Sequence, residues 1–224
     1  FPPPALVEKT KFVRSADMLE KRQNPILNPE ADGRDSLRAD LRHVRAIRAD
    51  HKQHLLHLAD VTHAEKHIES LPTPAESYHC LMGGNYNAWD LVPAVLNLLD
   101  GDHLAELRIA TLGFNRRNGA ELLELLDTDQ VEKCSFICST YYQGHEQDVF
   151  AWLSAELTAR GQGVACTRCH AKVILMRSTA GHWLVNESSA NLRSCNNLEQ
   201  FAMFNNRDLY EFHSLWMQEA IANA

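Results

Sequence analysis

From Pro74 to the C-terminus, short apolar runs alternate with amphipathic stretches, and this order most constrains the fold. The runs Glu76–Met82, Leu107–Leu112, Glu132–Thr140, Ala171–Met176, His182–Asn186 and Glu199–Phe204 predict strands. Ala88–Leu99, Ala120–Leu126, His145–Arg160 and Asp208–Ile221 predict helices, and Gly161–Gly163 predicts a break. Strands separated by helical stretches define an α/β chain with a mainly parallel or mixed sheet flanked by helices. No internal repeat is visible.

The chain before Pro74 has a different texture. Pro2, Pro3, Pro4, Pro25 and Pro29 point to an extended arm. Leu37, Leu41, Val44, Ile47, Leu55 and Leu58 recur at helical spacing, so residues 35–70 are expected to form one long helix or two, stopped by Pro72 and Pro74. On such a helix Arg34, Arg38, Arg42, Arg45, Arg48 and Lys52 form a basic stripe beside the apolar face. The stripe reads either as a solvated face or as a contact for phosphate backbones. His63 and His67 stand at metal-ligand spacing, but no helix-borne acid motif joins them, and no metal site is expected. The expected division is residues 1–74 as arm and helical extension and 75–224 as the catalytic domain.

Charge narrows the partners. Residues 1–70 hold 12 Lys/Arg against 11 Asp/Glu, +1, whereas the rest hold 10 against 18, −8. A basic coat for nucleic acid is absent, so any polyanion site must be local. Six cysteines in 224 residues fall far below a disulfide scaffold, which favours a reducing compartment. No apolar run approaches the roughly 18 residues of a membrane span. A cytoplasmic location is expected; the chain starts at Phe1, which leaves a removed leader open.

Chemistry concentrates between Cys169 and Phe204. His170 and Lys172 are two residues apart before the apolar run Val173–Met176, so alternation turns both side chains to one side. An imidazole beside an ammonium makes an anion site containing a nucleophile or an acid. The following Ser188-Ser189-Ala190-Asn191 turn adds hydroxyl, amide and backbone donors. Together they can hold a phosphate without metal.

This stretch resembles the signature of the phospholipase D superfamily, H-x-K-x4-D followed by G-S-x-N. His170, Lys172, Ser189 and Asn191 fall on its positions, and Glu199 matches the acid that commonly follows. Residues 75–222 have the strand–helix order of one such domain. Arg177 stands at the motif Asp and Ser188 at the motif Gly. The resemblance implies phosphodiester chemistry without a cofactor: His170, Lys172, Asn191 and Glu199 are catalytic, and Lys172, Ser189 and Asn191 bind phosphate. It pairs two H-x-K sites, one His attacking phosphorus and the other protonating the leaving oxygen. A chain with one H-x-K is therefore expected to act as a homodimer with the site across its two-fold axis. The expected substrate is DNA or RNA, guided by Arg38, Arg42, Arg45, Arg116, Arg117 and Arg193. The alternatives are a lipid phosphodiesterase, or a catalytically degenerate domain that binds nucleic acid or protein.

Cys166-Thr167-Arg168-Cys169-His170 also fits the C-x-x-C-H pattern of haem attachment, a reading that leaves Lys172, Asn191 and Glu199 unexplained. Zinc shared by Cys166, Cys169, Cys134 and Cys138 is disfavoured, because the last two stand about 13 Å apart along a strand.

Overall fold

The structure is a computed structural model that describes residues 68–82, 87–193 and 197–224, together with the backbone of 43–50 and 54–60. Nine strands form a single mixed sheet: β1 (His43–Asp50), β2 (His54–Asp60), β3 (Glu76–Met82), β4 (Leu104–Thr111), β5 (Cys134–Ser139), β6 (Gly163–Thr167), β7 (Val173–Ser178), β8 (Trp183–Ser188) and β9 (Glu199–Asn205). Their order is β2-β1-β3-β9-β8-β7-β4-β5-β6. Only β4–β5 and β5–β6 pair in parallel; every other pair is antiparallel. The helices are α1 (Leu91–Leu98), α2 (Arg116–Asp127), α3 (Thr140–His145), α4 (Gln147–Ala159) and α5 (Arg207–Ala222), with a 3-10 turn at Ala88–Asp90.

Burial on both faces explains why the central strands read as near-continuous apolar runs. One face packs Leu107, Ile109, Phe136, Ile174, Met176 and Leu184 against α1, α2 and α4 through Val92, Val95, Leu122, Leu153 and Leu157. The other packs Ala110, Ile137, Leu175 and Val185 against Tyr210 and Met217 of α5. Successive residues of β7 and β8 therefore serve different cores, which fixes their register.

Local chemistry sets the helix ends. Asn115 caps α2 in a reciprocal box with Asn118, with N–O distances of 2.9 and 3.1 Å. Asn206 caps α5 through Leu209 N at 2.9 Å. Gly161, at φ +68°, ends the α4 segment in a left-handed turn that a side chain would resist. Gly119 is required by packing: a Cβ there would lie 2.8 Å from the Trp152 ring of α4.

Several expectations need correction. Residues 43–50 and 54–60 are an antiparallel hairpin and not helix, paired as Ile47↔Leu56 and joined to β3 as Ile47↔His79. The apolar spacing that suggested a helix is overridden by pairing with β3, a partner outside any local window. The stripe does not run on as helix through the described residues: Arg45 and Arg48 lie in a strand of period two, and Arg34, Arg38, Arg42 and Lys52 lie outside the described residues, as do His63 and His67. Gly163 opens β6 instead of ending in a break; the helix expected over His145–Arg160 is α4, and a further short helix, α3, precedes it across residues 141–144, for which no element was expected.

Candidate active site

The C-terminal ends of the parallel strands β4, β5 and β6 lie at the same end of the sheet as the start of β7, the end of β8 and the start of β9. In open α/β sheets this is the end at which loops build ligand sites. The His170–Lys172 segment, the Ser188–Asn191 turn and Glu199 lie at this end, and Arg177 lies at the other.

His170 and Lys172 occupy an extended segment just ahead of β7, and the Lys172 carbonyl accepts from Ser188 N at 3.0 Å. The β7–β8 ladder thus continues one rung and sets the backbone from which both side chains leave. Lys172 Nζ lies 3.0 Å from His170 Nδ1 and 3.5 Å from Nε2. His170 is exposed and Lys172 half-buried. Burial lowers the Lys172 ammonium below its ordinary range, and the Glu199 carboxylate opposes that shift.

The turn after β8 is tightly determined. Ser188 Oγ donates to the Gln200 carbonyl at 3.0 Å and accepts from Ala190 N at 2.9 Å. A glycine at this position could make neither side-chain bond, so Ser188 shapes the turn with its own hydroxyl. Ser189 Oγ donates to Glu199 Oε2 and accepts from Gln200 N at 2.9 Å. Asn191 is held by its backbone, its carbonyl accepting from Ala88 N at 3.2 Å. Its side-chain Oδ1 is buried and has no hydrogen-bond partner among the described residues. An open depression of about 490 Å³ is lined by His170, Lys172, Glu187, Ser188 and Ser189, among others.

Two features escape sequence reasoning. Glu187 reaches the depression and accepts a 2.8 Å hydrogen bond from the buried His213 Nε2 of α5. Trp216 Nε1 donates to His213 Nδ1 at 3.1 Å, so the proton on His213 sits on Nε2 and faces Glu187. Asn186, fully buried two residues before Ser188, leaves both amide atoms unpartnered among the described residues. Nothing in the spacing of residues 183–216 announces either feature, because both depend on which face of β8 meets α5.

Arg177, at the motif Asp position, is at the far end of β7 from His170. It lies 4.0 Å from Glu106 and over the Trp183 ring at 5.6 Å. Of the arginines expected to guide nucleic acid, Arg193 follows the Asn191 turn and faces Glu146 at 4.0 Å. Arg116 and Arg117 open α2 at the same sheet end. Arg116 stacks on Trp152 at 4.4 Å and Arg117 pairs with Glu121 at 2.6 Å.

Among the described residues, Cys134 and Cys138 do not share a site. Burial pushes the Cys134 and Cys138 thiols up to about 12. Cys134 pairs with Leu107 and Cys138 with Cys166, so the two mark opposite ends of β5. Among the described residues, no group of three or more His, Cys, Asp or Glu is arranged to hold a metal ion, and no helix is long and apolar enough to cross a membrane.

No family model and no curated protein matches the chain. Among solved structures, the chain is similar to the phospholipase D family member Nuc from Salmonella typhimurium, with 15% identity over 63% of this chain and 93% of that one, at a TM-score of 0.45. It is also similar to polyphosphate kinase from Porphyromonas gingivalis, with 17% identity over 68% of this chain and 28% of that one, at a TM-score of 0.49. The chemistry open to this chain is set by its own residues at the strand ends.

Proposed function

We propose that this chain is a metal-independent phosphodiesterase, a nuclease that works through a phosphohistidine at a homodimer interface. The observation that carries the reading is the contact of Lys172 Nζ with the His170 ring in a depression that Ser188 and Ser189 also line. An imidazole nitrogen of His170 attacks phosphorus, and the bond from phosphorus to the leaving oxygen breaks. Lys172 and the donors of the turn balance charge on the phosphoryl oxygens. The leaving oxygen takes a proton from His170 of the partner subunit, which then takes a proton from the water that breaks the bond from phosphorus to the first His170 and releases the phosphomonoester product. One His cannot be nucleophile and leaving-group acid in the same step, and this requires the second copy. Glu199 orients Ser189 and supports the charge on Lys172.

A second reading, a degenerate domain that binds nucleic acid or protein without turnover, is favoured by Arg177 alone, since an arginine cannot take the place of the motif carboxylate. One experiment separates the two. Purified protein in EDTA is offered single-stranded DNA, duplex DNA, RNA, a phospholipid and a small aryl phosphodiester, and its mass is measured by light scattering. Hydrolysis that survives chelation, by a species of about twice the chain mass, is expected. Binding without hydrolysis of any substrate selects the degenerate reading; cleavage of phospholipid alone selects the lipid substrate.

A further inference from the structure

The same end of the sheet as the depression carries an aromatic group that the proposed reaction does not use. Tyr141, 62% exposed, stands one residue into α3, directly after the C-terminal end of β5. Its backbone is fixed by the N-cap, Ser139 Oγ accepting from Tyr141 N at 3.2 Å. Its ring lies against His145, one helical turn on, with centroids 4.2 Å apart and planes tilted by 33°. His145 is held in turn by a 2.7 Å hydrogen bond from Nδ1 to the Tyr141 carbonyl. The pair is a preset, tilted aromatic stack in water, and burial of neither ring explains it.

Its surroundings decide what it faces. β5 lies two strands from β7 in the sheet, so the platform starts about 10 Å from the His170 segment along the strand ends. Ser139, which caps α3, pairs with Thr167, so the exposed Arg168 leaves β6 beside the start of α3, and the exposed Arg193 stands 4.0 Å from Glu146, the residue after His145. A protein-docking patch is contiguous and apolar; here a single aromatic pair stands among polar and cationic groups. Isolated aromatic faces beside cationic side chains suit stacked bases of a single strand, since every base has a π-face and the phosphates need the cations.

We infer that Tyr141 and His145 form a stacking platform for an unpaired nucleobase, which makes single-stranded nucleic acid the preferred substrate of the adjacent site. The inference rests on the phosphodiesterase reading for cleavage of the bound strand, but not for binding itself. In duplex DNA the base faces are already stacked and cannot reach the platform.

The test uses full-length protein in EDTA and a single-stranded DNA carrying a fluorescent aminopurine, with wild type, Tyr141→Ala and Tyr141→Phe. Tyr141→Ala is expected to weaken single-strand binding by roughly 5- to 150-fold and to abolish the stacking-induced quench. Tyr141→Phe should keep both. Turnover of the small aryl phosphodiester, sedimentation and circular dichroism should be unchanged in all three. Wild-type affinity in Tyr141→Ala overturns the inference, as does wild-type protein that binds duplex as tightly as single strand. A sedimentation change in Tyr141→Ala would assign the patch to a second copy instead, and an equal loss of aryl phosphodiester turnover would assign Tyr141 to the site itself. Should wild type fail to cleave the aryl phosphodiester, the phosphodiesterase reading falls, while the binding series still decides the platform.

Discussion

Strand β7 has a polar cluster at each end, and the two meet water differently. At its start, His170 and Lys172 open into a depression where donors outnumber the acids that answer them. At its end, Arg177 joins a closed network: Glu106 accepts from Arg108 at 2.6 Å and from Tyr210 Oη at 2.7 Å, with Arg177 at 4.0 Å. The Glu106 and Arg108 side chains are 15% and 8% exposed. Both clusters are built from ordinary charged residues. The difference is that the second supplies its own anion and is finished by folding, whereas the first stays open to solvent, where the proposed phosphodiesterase reaction would place a phosphate. Polar groups at one strand end stabilise the fold; those at the other are left to chemistry.

The largest effect should come from the open end. His170→Ala and Lys172→Ala are each expected to lower phosphodiester turnover by well over ~100-fold, with unchanged circular dichroism and melting temperature. The comparison breaks if either variant unfolds, since His170 is exposed and nothing in the core depends on it.

The closed end should show the reverse. Glu106→Ala leaves Arg108 buried with its charge unanswered, and Arg108 Nε already has no hydrogen-bond partner among the described residues. Removing one member of such a pair costs about 3–5 kcal/mol, readable as a lower urea midpoint. The pH dependence has a definite sign. Burial raises the Glu106 carboxyl, but the hydrogen bonds from Arg108 and Tyr210 and the charges of Arg108 and Arg177 outweigh it, so the folded value lies below the ordinary 4.5. The stability Glu106 contributes is therefore full above pH 4.5 and is lost as the pH falls through that depressed value. Urea midpoints of wild type and Glu106→Gln should converge toward acid; parallel curves down to the lowest accessible pH would remove the linkage.

A smaller effect sharpens the description of the open end. Lys172 is lowered by burial and raised by Glu199, so the alkaline limb of kcat/KM should lie below the 10.5 of an ordinary lysine. Glu199→Gln removes the charge that supports the ammonium and should move this limb to lower pH. A limb that stays in place would mean that Glu199 serves only the turn through Ser189.

How much of this was visible in the sequence depends on the range of the causes. The positions of β3, β7 and β9 and of α5 follow from local alternation or helical periodicity, and so does the proximity of His170 and Lys172, because a period of two is a property of the backbone itself. The Tyr141–His145 pair was not accessible by the same means, because the expected helix begins at His145 and the short helix Thr140–His145 carries no apolar period of its own. Nor was the hairpin of residues 43–60. Val44, Ile47, Leu55 and Leu58 fit a helix as well as a strand, and the choice is made by pairing with the distant β3. Likewise β6 is short and rich in small residues, and it is a strand because β5 lies beside it. The partners of Arg177 and Glu187, namely Glu106 and His213, come from β4 and α5, and only the fold brings them together.

The smallest expected effect concerns the arginines at the site end, where the same contrast between answered and unanswered charge recurs on the surface. Arg117 is committed to Glu121 at 2.6 Å, one turn away on α2, while Arg193 stands 4.0 Å from Glu146 and directly follows the Asn191 turn. Exposed ion pairs of either kind contribute about 0–1 kcal/mol to stability, so neither variant should change the melting temperature appreciably. Their effects on a polyanion should differ. A phosphate contact by Arg193 releases condensed counterions, and Arg193→Gln should reduce the slope of log K against log salt by about 0.7 for a single strand. Arg117→Gln should leave that slope within error, because the guanidinium it removes was already neutralised. Turnover of the aryl phosphodiester should be the same in both, since that substrate is too small to reach either group. Equal slopes for the two variants would show that proximity to the turn confers no privilege on Arg193, and would confine the phosphate contacts to Lys172 and the turn itself.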